Sequence, residues 1–409
     1  MKKYILYTAA LALLSSTALA GGYQLQEYSV TNLGRAFGGA GIVGDDYSAI
    51  AFNPAGMAYK STGVQLGANY VSIKAKARGH LNGDADDVGK LHARKVLPHF
   101  FAQKRIGEDL TLGTGVYVPF GLGTYYDKNW YGQTHALNSE INVIDIAAAA
   151  SYKLTDSFAI GGSIFAEKMD ARLTNSVYHP LYGNIGTSDL NADDWSKGYN
   201  IGATFEPVKD TRFGVTYRSK TIHNIKGPHY LHLMGTDKQG ICGTKLVLPE
   251  HVLLTAYQKV GDFGLSAIAR WTRWSHFNKL VIYSDAKTGV RTDSTPVYEN
   301  WRNVWMAGVG TDYYLNKNWT LRAGVAYDQG AVKRPENRTA RVPDSNRWIA
   351  SVGASYMFEN WQVDFAYAHM FLRNAHSNNK YPDDATGTTL DAKYSMGINL
   401  LGMSLQYNF

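Results

Sequence analysis

The chain has 409 residues, with 41 Lys and Arg against 34 Asp and Glu, so its formal charge is a modest +7. That balance, without a run of basic residues interleaved with aromatics, excludes a nucleic-acid-binding protein of the usual kind. Its single cysteine, Cys242, excludes a framework of internal disulfides. Beyond residue 20, the chain lacks the roughly 18 consecutive apolar residues that a membrane-spanning helix requires.

The start of the chain has the composition of a secretory signal peptide. Two lysines give it a charged beginning, and an apolar stretch follows over residues 4–14. Ala18 and Ala20 are small residues at the two positions that a signal peptidase reads. The apolar stretch is too short to anchor the chain in a bilayer. We therefore expect residues 1–20 to be removed and the mature chain to begin at Gly21.

Residues 21–61 form a separate segment without the side-chain alternation of a strand. They are rich in Gly, Ala and Asp, and residues 34–41 read Gly-Arg-Ala-Phe-Gly-Gly-Ala-Gly. Such a stretch has no apolar face that a lipid-facing strand would need. We therefore expect this segment to lie apart from the strands that follow it.

From residue 62 onward, segments of about ten residues alternate between apolar and polar side chains, which is the period of a strand with one apolar face. In the last segment the alternating apolar residues are Leu401, Met403, Leu405, Tyr407 and Phe409. On this basis we predict fourteen strands, near 62–77, 93–106, 109–119, 140–154, 157–174, 197–207, 211–225, 246–259, 262–274, 301–315, 318–328, 346–358, 361–372 and 392–409.

The connections between these strands alternate between short and long. Two-residue turns such as Gly107-Glu108 and Glu359-Asn360 are the short ones. Long loops are predicted near 78–92, 120–139, 175–196, 226–245, 275–300, 329–345 and 373–391. Bacterial single-chain outer-membrane barrels have an even strand number, short periplasmic turns, long outer loops and aromatic girdles. The sequence therefore predicts an all-β protein, a 14-stranded antiparallel transmembrane barrel over residues 62–409.

A barrel of this size has room for a plug, since it is intermediate between filled eight-stranded barrels and open porins. Residues 21–61 are therefore expected to be a hatch, either in the periplasm or folded into the lumen. The expected location is the bacterial outer membrane, with the excess of Lys and Arg facing lipopolysaccharide phosphates. The terminal Phe409 resembles the signal that the outer-membrane assembly machinery reads, and a monomer is expected.

Three segments near the mature start resemble a known family. They are residues 21–29, Gly-Gly-Tyr-Gln-Leu-Gln-Glu-Tyr-Ser, residues 33–37, Leu-Gly-Arg-Ala-Phe, and the triplet Asn53-Pro54-Ala55. Together they resemble the amino-terminal hatch of the FadL/TodX family, outer-membrane transporters of long-chain fatty acids and other hydrophobic compounds. Residues 119–122, 248–250 and 342–348 extend the resemblance over nearly the whole chain.

The resemblance implies passive transport that needs no energy source. Ligand would bind at an outer apolar groove, move to an inner pocket, shift the hatch and leave through a gap in the wall. The hatch and gating residues would be Gly34, Arg35, Asn53, Pro54 and Ala55. The gap would lie at a kinked third strand near Thr111–Pro119 that contains Gly113 and Gly115. A plug that only seals the pore is the alternative interpretation of the hatch.

The ligand-binding residues that the resemblance suggests leave the substrate open. Phe120, Leu122, Tyr125 and Tyr126 would form the greasy outer groove, or else pack within a loop. The family's basic head-group positions fall on Asn175 and Val297, which carry no charge. Arg172 and Arg302 lie nearby in the sequence and would either replace those charges or be ordinary lumen or rim residues. Long-chain fatty acids and neutral aromatic hydrocarbons are both possible substrates on this evidence.

Catalytic motifs are absent from the sequence. Its histidines form neither a His-Glu-x-x-His zinc pattern nor part of a Gly-x-Ser-x-Gly elbow, and no Gly-rich phosphate loop follows a strand. We therefore expect a protein that is not an enzyme and has neither a cofactor nor a metal. Two alternatives remain, a lipid-modifying outer-membrane enzyme and a structural or adhesive surface barrel.

Overall fold

The structure is a computed structural model, and it describes residues 21–179, 181–381 and 387–409. The expected signal peptide lies outside these residues. Fourteen antiparallel strands form a closed barrel, as predicted, because the first strand pairs with both the second and the last. Their bounds are β1 Gly63–Leu81, β2 Asp87–Ile106, β3 Leu110–Tyr126, β4 Asn138–Thr155, β5 Phe158–His179, β6 Gly183–Val208, β7 Thr211–Arg218 continuing as Thr221–Leu233, β8 Thr236–Leu248 continuing as His251–Val260, β9 Phe263–Thr272, β10 Val304–Tyr314, β11 Trp319–Asp328, β12 Arg347–Phe358, β13 Trp361–Leu372 continuing as Ala375–Tyr381, and β14 Thr388–Asn408.

Side chains alternate across the wall with the expected period. Along β14, Leu401 and Met403 are 57% and 54% exposed on the outer surface, whereas Ser404 and Gln406 are buried on the inner one. Lipid imposes this pattern, because the outer face of a membrane barrel must be apolar while the inner face packs against polar or plug residues. The alternation from which the strands were predicted thus follows from the different surroundings of the two faces of the wall.

Three predicted long loops are instead hairpins, including 78–92, where β1 continues to Leu81 and β2 begins at Asp87. Strands β5 and β6 continue to His179 and from Gly183, and β7 and β8 meet at a turn over residues 234–235. The prediction of loops at 78–92, 175–196 and 226–245 was wrong because these hairpins extend past the apolar band. Without lipid on one face, nothing requires an apolar period, and the backbone hydrogen bonds alone define the strands.

The connection predicted at 373–391 is also partly strand, because Ala375–Tyr381 pairs with β14. The connections that follow β9 and β11 are irregular. Residues 273–303 contain the 3₁₀ turn Trp274–His276 and two short strand pairs, Lys279–Leu280 with Val297–Tyr298 and Tyr283–Ser284 with Thr292–Asp293. Residues 329–346 contain the 3₁₀ turn Pro335–Asn337.

The hatch lies inside the lumen, which decides between the two places that the sequence allowed. It contains the helices α1 Val30–Gly34 and α2 Ala49–Phe52 and the 3₁₀ helix Pro54–Tyr59. Ser29 caps α1 by accepting the backbone N–H of Asn32, as serine commonly does at this position. Helix residues of the hatch are buried against the wall. Among the described residues, no helix is long and apolar enough to cross a membrane.

Candidate functional site

The triplet Asn53-Pro54-Ala55 anchors the hatch to the inner wall. Asn53 caps the 3₁₀ helix, with its Oδ1 accepting the N–H of Ala55 at 3.2 Å. Its Nδ2 donates to the carbonyl oxygens of Ala203 on β6 at 3.2 Å and Val215 on β7 at 3.5 Å. From β4, the hydroxyl of Ser151 donates to the carbonyl oxygen of Ala55 at 2.9 Å. Because Pro54 has no N–H to satisfy, it suits the first position of the helix.

Glycines on the wall make the room for this anchor. A Cβ added at Gly161 would lie 2.3 Å from the nitrogen of Ala55, and one at Gly202 would lie 2.2 Å from Asn53 Oδ1. A Cβ at Gly214 would lie 2.9 Å from Asn53 Nδ2. We call the space left by these three glycines the notch. Reasoning from sequence missed all three, because a glycine on the lumen face of a strand looks the same whether or not it meets a plug.

Arg35, one of the residues expected in the hatch, belongs to a ring of four charged side chains, of which three are buried and Asp45 is partly exposed. Its Nη1 lies 2.7 Å from Asp45 of the hatch and 3.0 Å from Asp312 of β10. Arg322 of β11 closes the ring, at 3.0 Å from Asp45 and 2.9 Å from Asp312. Burial opposes ionisation of Asp45, but the two guanidinium groups outweigh it and hold its pKa well below the usual range. Each charge has two opposite neighbours, which offsets the cost of burying it.

Gly34, the residue before Arg35, lets α1 approach the wall. A Cβ there would lie 3.1 Å from the Cα of Gly353 on β12. The pair therefore brings two backbones together at the point where the charge ring holds the hatch.

The third strand loses its pairing with β2 over part of its length while it stays paired with β4, and the hatch pairs with that part. Pairing of β3 with β2 stops after Phe100↔Val116 and resumes at His92↔Tyr125, shifted by one residue. Between these points, residues 117–124 are buried without alternation. We call this segment the β3 interruption. The N–H of Leu25 donates to the carbonyl oxygen of Pro119 at 2.8 Å, and the N–H of Gly121 donates to that of Tyr23 at 2.9 Å.

Gly113 and Gly115 lie before the interruption, in the regularly paired part of β3. Their partners on β2 are Gln103 and Phe101. A Cβ at Gly113 would lie 2.7 Å from Met57 Cε and 2.9 Å from Ile50 Cδ1. These contacts indicate that this glycine makes room for the hatch, whereas the strand changes course at Val118 and Pro119.

An aromatic pocket surrounds Tyr23 of the hatch. Its ring centroid lies 4.8 Å from that of Trp274, 5.7 Å from Trp301, 6.1 Å from Phe277 and 6.3 Å from Phe120. Tyr23 is 1% exposed, and neither its hydroxyl nor Trp274 Nε1 has a hydrogen-bond partner among the described residues. A buried hydroxyl without a partner costs free energy, so the tyrosine occupies this apolar site at a disadvantage.

Two buried carboxylates fix the start of the hatch beside this pocket. The N–H of Gly21 donates to Asp328 Oδ2 and that of Gly22 to Asp344 Oδ2, both at 3.2 Å. Arg347 lies between the carboxylates, 3.2 Å from Asp328 and 3.4 Å from Asp344. The backbone around Tyr23 is therefore held at both ends, here and at β3.

Further toward the outer loops lies a cavity of about 910 Å³, which we call the outer cavity. Its apolar lining includes Leu190, Leu231, Leu280, Ile282 and Val297, and its polar lining includes Asn175, Glu299 and Arg341. Arg341 donates to Asn175 Oδ1 at 3.2 Å and to Ser139 Oγ at 3.1 Å. The two uncharged positions that the family resemblance marked, Asn175 and Val297, thus line the cavity, and the 329–346 loop supplies a cation beside them.

The expected arginines lie elsewhere. The side chain of Arg172 is 54% exposed and binds Asp189 through two hydrogen bonds of 3.0 and 2.6 Å. Arg302 donates to the carbonyl oxygen of Gly330 and to Asn346 Oδ1. Neither lines the outer cavity. Arg341 was missed because it is remote in sequence from both marked positions.

The four residues expected at the outer groove lie in three different surroundings. Phe120 lies in the aromatic pocket, and Leu122 is buried in the β3 interruption. Tyr126 stacks on Trp130 at 3.8 Å and donates to the carbonyl oxygen of Ala340 at 2.7 Å. Tyr125 has the Lys95 ammonium 5.6 Å from its ring centroid. The last two residues thus pack against loops and a lysine.

These features define a class, an outer-membrane barrel whose lumen holds a plug, an aromatic pocket and a partly apolar cavity. The sequence profile of the family described as Outer membrane protein transport protein (OMPP1/FadL/TodX) matches residues 11–409. The chain belongs to this family of outer-membrane transporters of hydrophobic compounds.

Individual proteins show the same relationship. The long-chain fatty acid transport protein of Escherichia coli O6:H1 is 27% identical over 409 aligned residues, covering 88% of this chain and 89% of that protein. A crystal structure of a Pseudomonas aeruginosa FadL homologue has a TM-score of 0.84 at 24% identity, covering 95% and 99% of the two chains. The Ralstonia pickettii toluene transporter TbuX has a TM-score of 0.70 at 18% identity, covering 94% and 99%. These structures share the fold.

Proposed function

We propose that this protein carries long-chain fatty acids or related hydrophobic molecules passively across the outer membrane. Ligand collects in the outer cavity, displaces Tyr23 from the aromatic pocket, and leaves sideways through the wall at the β3 interruption. One observation supports this most strongly: the residues that carry Tyr23 into the pocket also hydrogen-bond the part of β3 that is not paired with β2. Removing Tyr23 from the pocket therefore has to disturb the strand at which the ladder is already open.

The lining of the outer cavity supports the proposal that the ligand is an acid. A fatty acid needs an apolar surface for its chain and a cation for its carboxylate. The cavity offers both, with Leu280 and Val297 on its lining and the Arg341 guanidinium beside Asn175. A charge-assisted hydrogen bond from Arg341 would hold the head group while the chain enters the aromatic pocket.

A neutral aromatic hydrocarbon is the second candidate substrate. The specific observation in its favour is the pocket itself, whose walls are the rings of Trp274, Trp301, Phe277 and Phe120. Edge-to-face contacts of this kind would suit a flat ring as well as a chain terminus. TbuX, which shares the fold, is a toluene transporter.

Uptake of labelled oleate, in a strain without its own transporter, tests the proposal. The strain is complemented with the intact chain or with an Asn53→Ala, Pro54→Ala variant, which loses the hatch anchor. Met234→Ala is the matched control, because Met234 lies exposed at the tip of the β7–β8 hairpin. We expect uptake with the intact chain and the control, and loss in the hatch variant despite normal assembly. A correctly inserted intact barrel that admits no oleate but admits toluene would favour the second candidate.

A further inference from the structure

Glu299 lies where the outer cavity meets the aromatic pocket. It precedes β10, is 4% exposed, and lines the outer cavity together with Arg341. Its Oε2 accepts the indole N–H of Trp301 at 3.0 Å. Trp301 is in turn a wall of the aromatic pocket, with its ring 5.7 Å from that of Tyr23. A single carboxyl group therefore belongs to the lining of both sites.

Charged and titratable groups near this carboxyl come from two other elements. Arg341, from the 329–346 loop, attracts its negative charge. Tyr23, from the hatch, is close enough that burial first, and then the charges of Glu299 and of Glu167 on β5, raise the pKa of its phenol. Burial is the largest influence on Glu299 itself and raises its pKa to about 8, against the opposing effects of Trp301 and Arg341. The group is therefore mostly neutral at pH 7 and ionises as the pH rises through 8.

We propose that Glu299 selects the head group of the ligand that passes from the outer cavity into the aromatic pocket. As a neutral carboxyl it donates a hydrogen bond to an anionic head group that Arg341 has received. As a carboxylate it repels that head group at short range, in a site with little water to screen the charge. Single-chain anionic amphiphiles then pass only while Glu299 holds its proton, whereas neutral ones pass at any pH.

The arrangement of oxygens suits this role. Trp301 occupies Oε2, so Oε1 is left to carry the proton and to donate it. The N–H of Trp301 also keeps the carboxyl in one orientation when the proton is lost, because an indole can only donate. The inference rests on the proposed function, since it concerns the step between the two apolar sites.

The test uses two labelled probes that do not themselves titrate near neutral pH, hexadecanesulfonate and hexadecanol. Uptake by the full chain in proteoliposomes is measured from about pH 6 to about pH 9.5, a window that brackets the ionisation of Glu299. We expect sulfonate uptake to fall about tenfold between pH 7 and pH 9, because a group of pKa about 8 keeps about a tenth of its protons at pH 9. Hexadecanol uptake should stay level.

Glu299→Gln is the decisive variant, because glutamine cannot ionise and can still accept the Trp301 N–H. It should transport sulfonate at the neutral-pH rate throughout. Glu336→Gln, on an exposed residue of the 329–346 loop, is the matched control and should behave like the wild type. The histidines of the cavity do not interfere, since burial lowers the pKa of His135 to about 4 and His229 is bound to Ser188 and Ser284.

The outcomes separate the two proposals. Equal sulfonate profiles for the wild type and Glu299→Gln, with hexadecanol still entering, would overturn the role of Glu299 and leave the transport function standing. Failure of both probes to enter through a correctly inserted barrel would overturn the transport function and the selection step together.

Discussion

Leu25 of the hatch donates its backbone N–H to the carbonyl oxygen of Pro119 at 2.8 Å, so the plug replaces β2 as the partner of the interrupted strand. Pro119 has no N–H of its own. Two residues further on, the N–H of Gly121 donates to the carbonyl oxygen of Tyr23. The hatch thereby supplies hydrogen-bond partners, from inside the lumen, to backbone groups of β3 that are not paired with β2. Under the proposed function, movement of the plug would break these two hydrogen bonds and expose this stretch of wall.

Removing the ring of Tyr23 should empty the aromatic pocket. We expect Tyr23→Ala to bind hexadecanol about tenfold more tightly, because ligand no longer has to displace a ring whose edge-to-face contacts are worth about 1 kcal/mol each. Titration followed by the change in tryptophan emission, to which Trp274 and Trp301 contribute, would measure it. Tyr23→Phe keeps the ring and is the control; an unchanged affinity in Tyr23→Ala would mean that the pocket is not the ligand's site.

Two adjacent glycines on β5 provide a matched pair for the hatch anchor. A Cβ at Gly161 would overlap Ala55 of the hatch, whereas at Gly162 the nearest atom is 3.5 Å away, which is ordinary contact. We expect Gly161→Ala to displace the anchor at a cost of about 2 kcal/mol and to abolish oleate uptake, with Gly162→Ala near the wild type. Heat-modifiable migration on gels reports assembly. Equal uptake by the two variants would contradict the anchoring role of the notch.

Breaking the charge ring should loosen the hatch. Asp312→Asn leaves Arg35 and Arg322 with Asp45 as their remaining partner in the ring, and an uncompensated buried charge costs about 3 kcal/mol. We expect faster proteolysis of the hatch and greater entry of large antibiotics. Asp262→Asn, in an exposed periplasmic turn, is the control. A hatch that stays equally protected in Asp312→Asn would show that the ring does not hold it.

Arg341 should distinguish acids from neutral ligands. We expect Arg341→Gln to raise the oleate concentration for half-maximal uptake about tenfold, since one charge-assisted hydrogen bond is worth about 1.5–3 kcal/mol. Hexadecanol uptake should not change. Arg172→Gln is the comparison, because Arg172 is exposed and bound to Asp189. If Arg172→Gln impaired oleate uptake and Arg341→Gln did not, the head-group assignment would pass back to Arg172.

Several features of the molecule followed from the sequence alone. Lipid on one side of the wall imposes a period of two, and this pattern in residues such as Leu401, Met403 and Leu405 was enough to predict fourteen strands. The lack of that pattern in residues 21–61 separated the hatch from the wall. The pattern lost its value where lipid ended, which is why the β5–β6 and β7–β8 hairpins were predicted as loops.

Which residues meet at the candidate site depends on closure of the barrel. It brings Arg341 to Asn175, and Tyr23 to Trp274 and Trp301, across separations that no local pattern records. Closure also determines which glycines face the plug and where β3 loses its pairing with β2. The sequence by itself determined the two faces of each strand, because that depends on neighbours two residues apart. The tertiary structure determined the proposed binding sites, because each is assembled from side chains that meet only once the sheet has closed around the hatch.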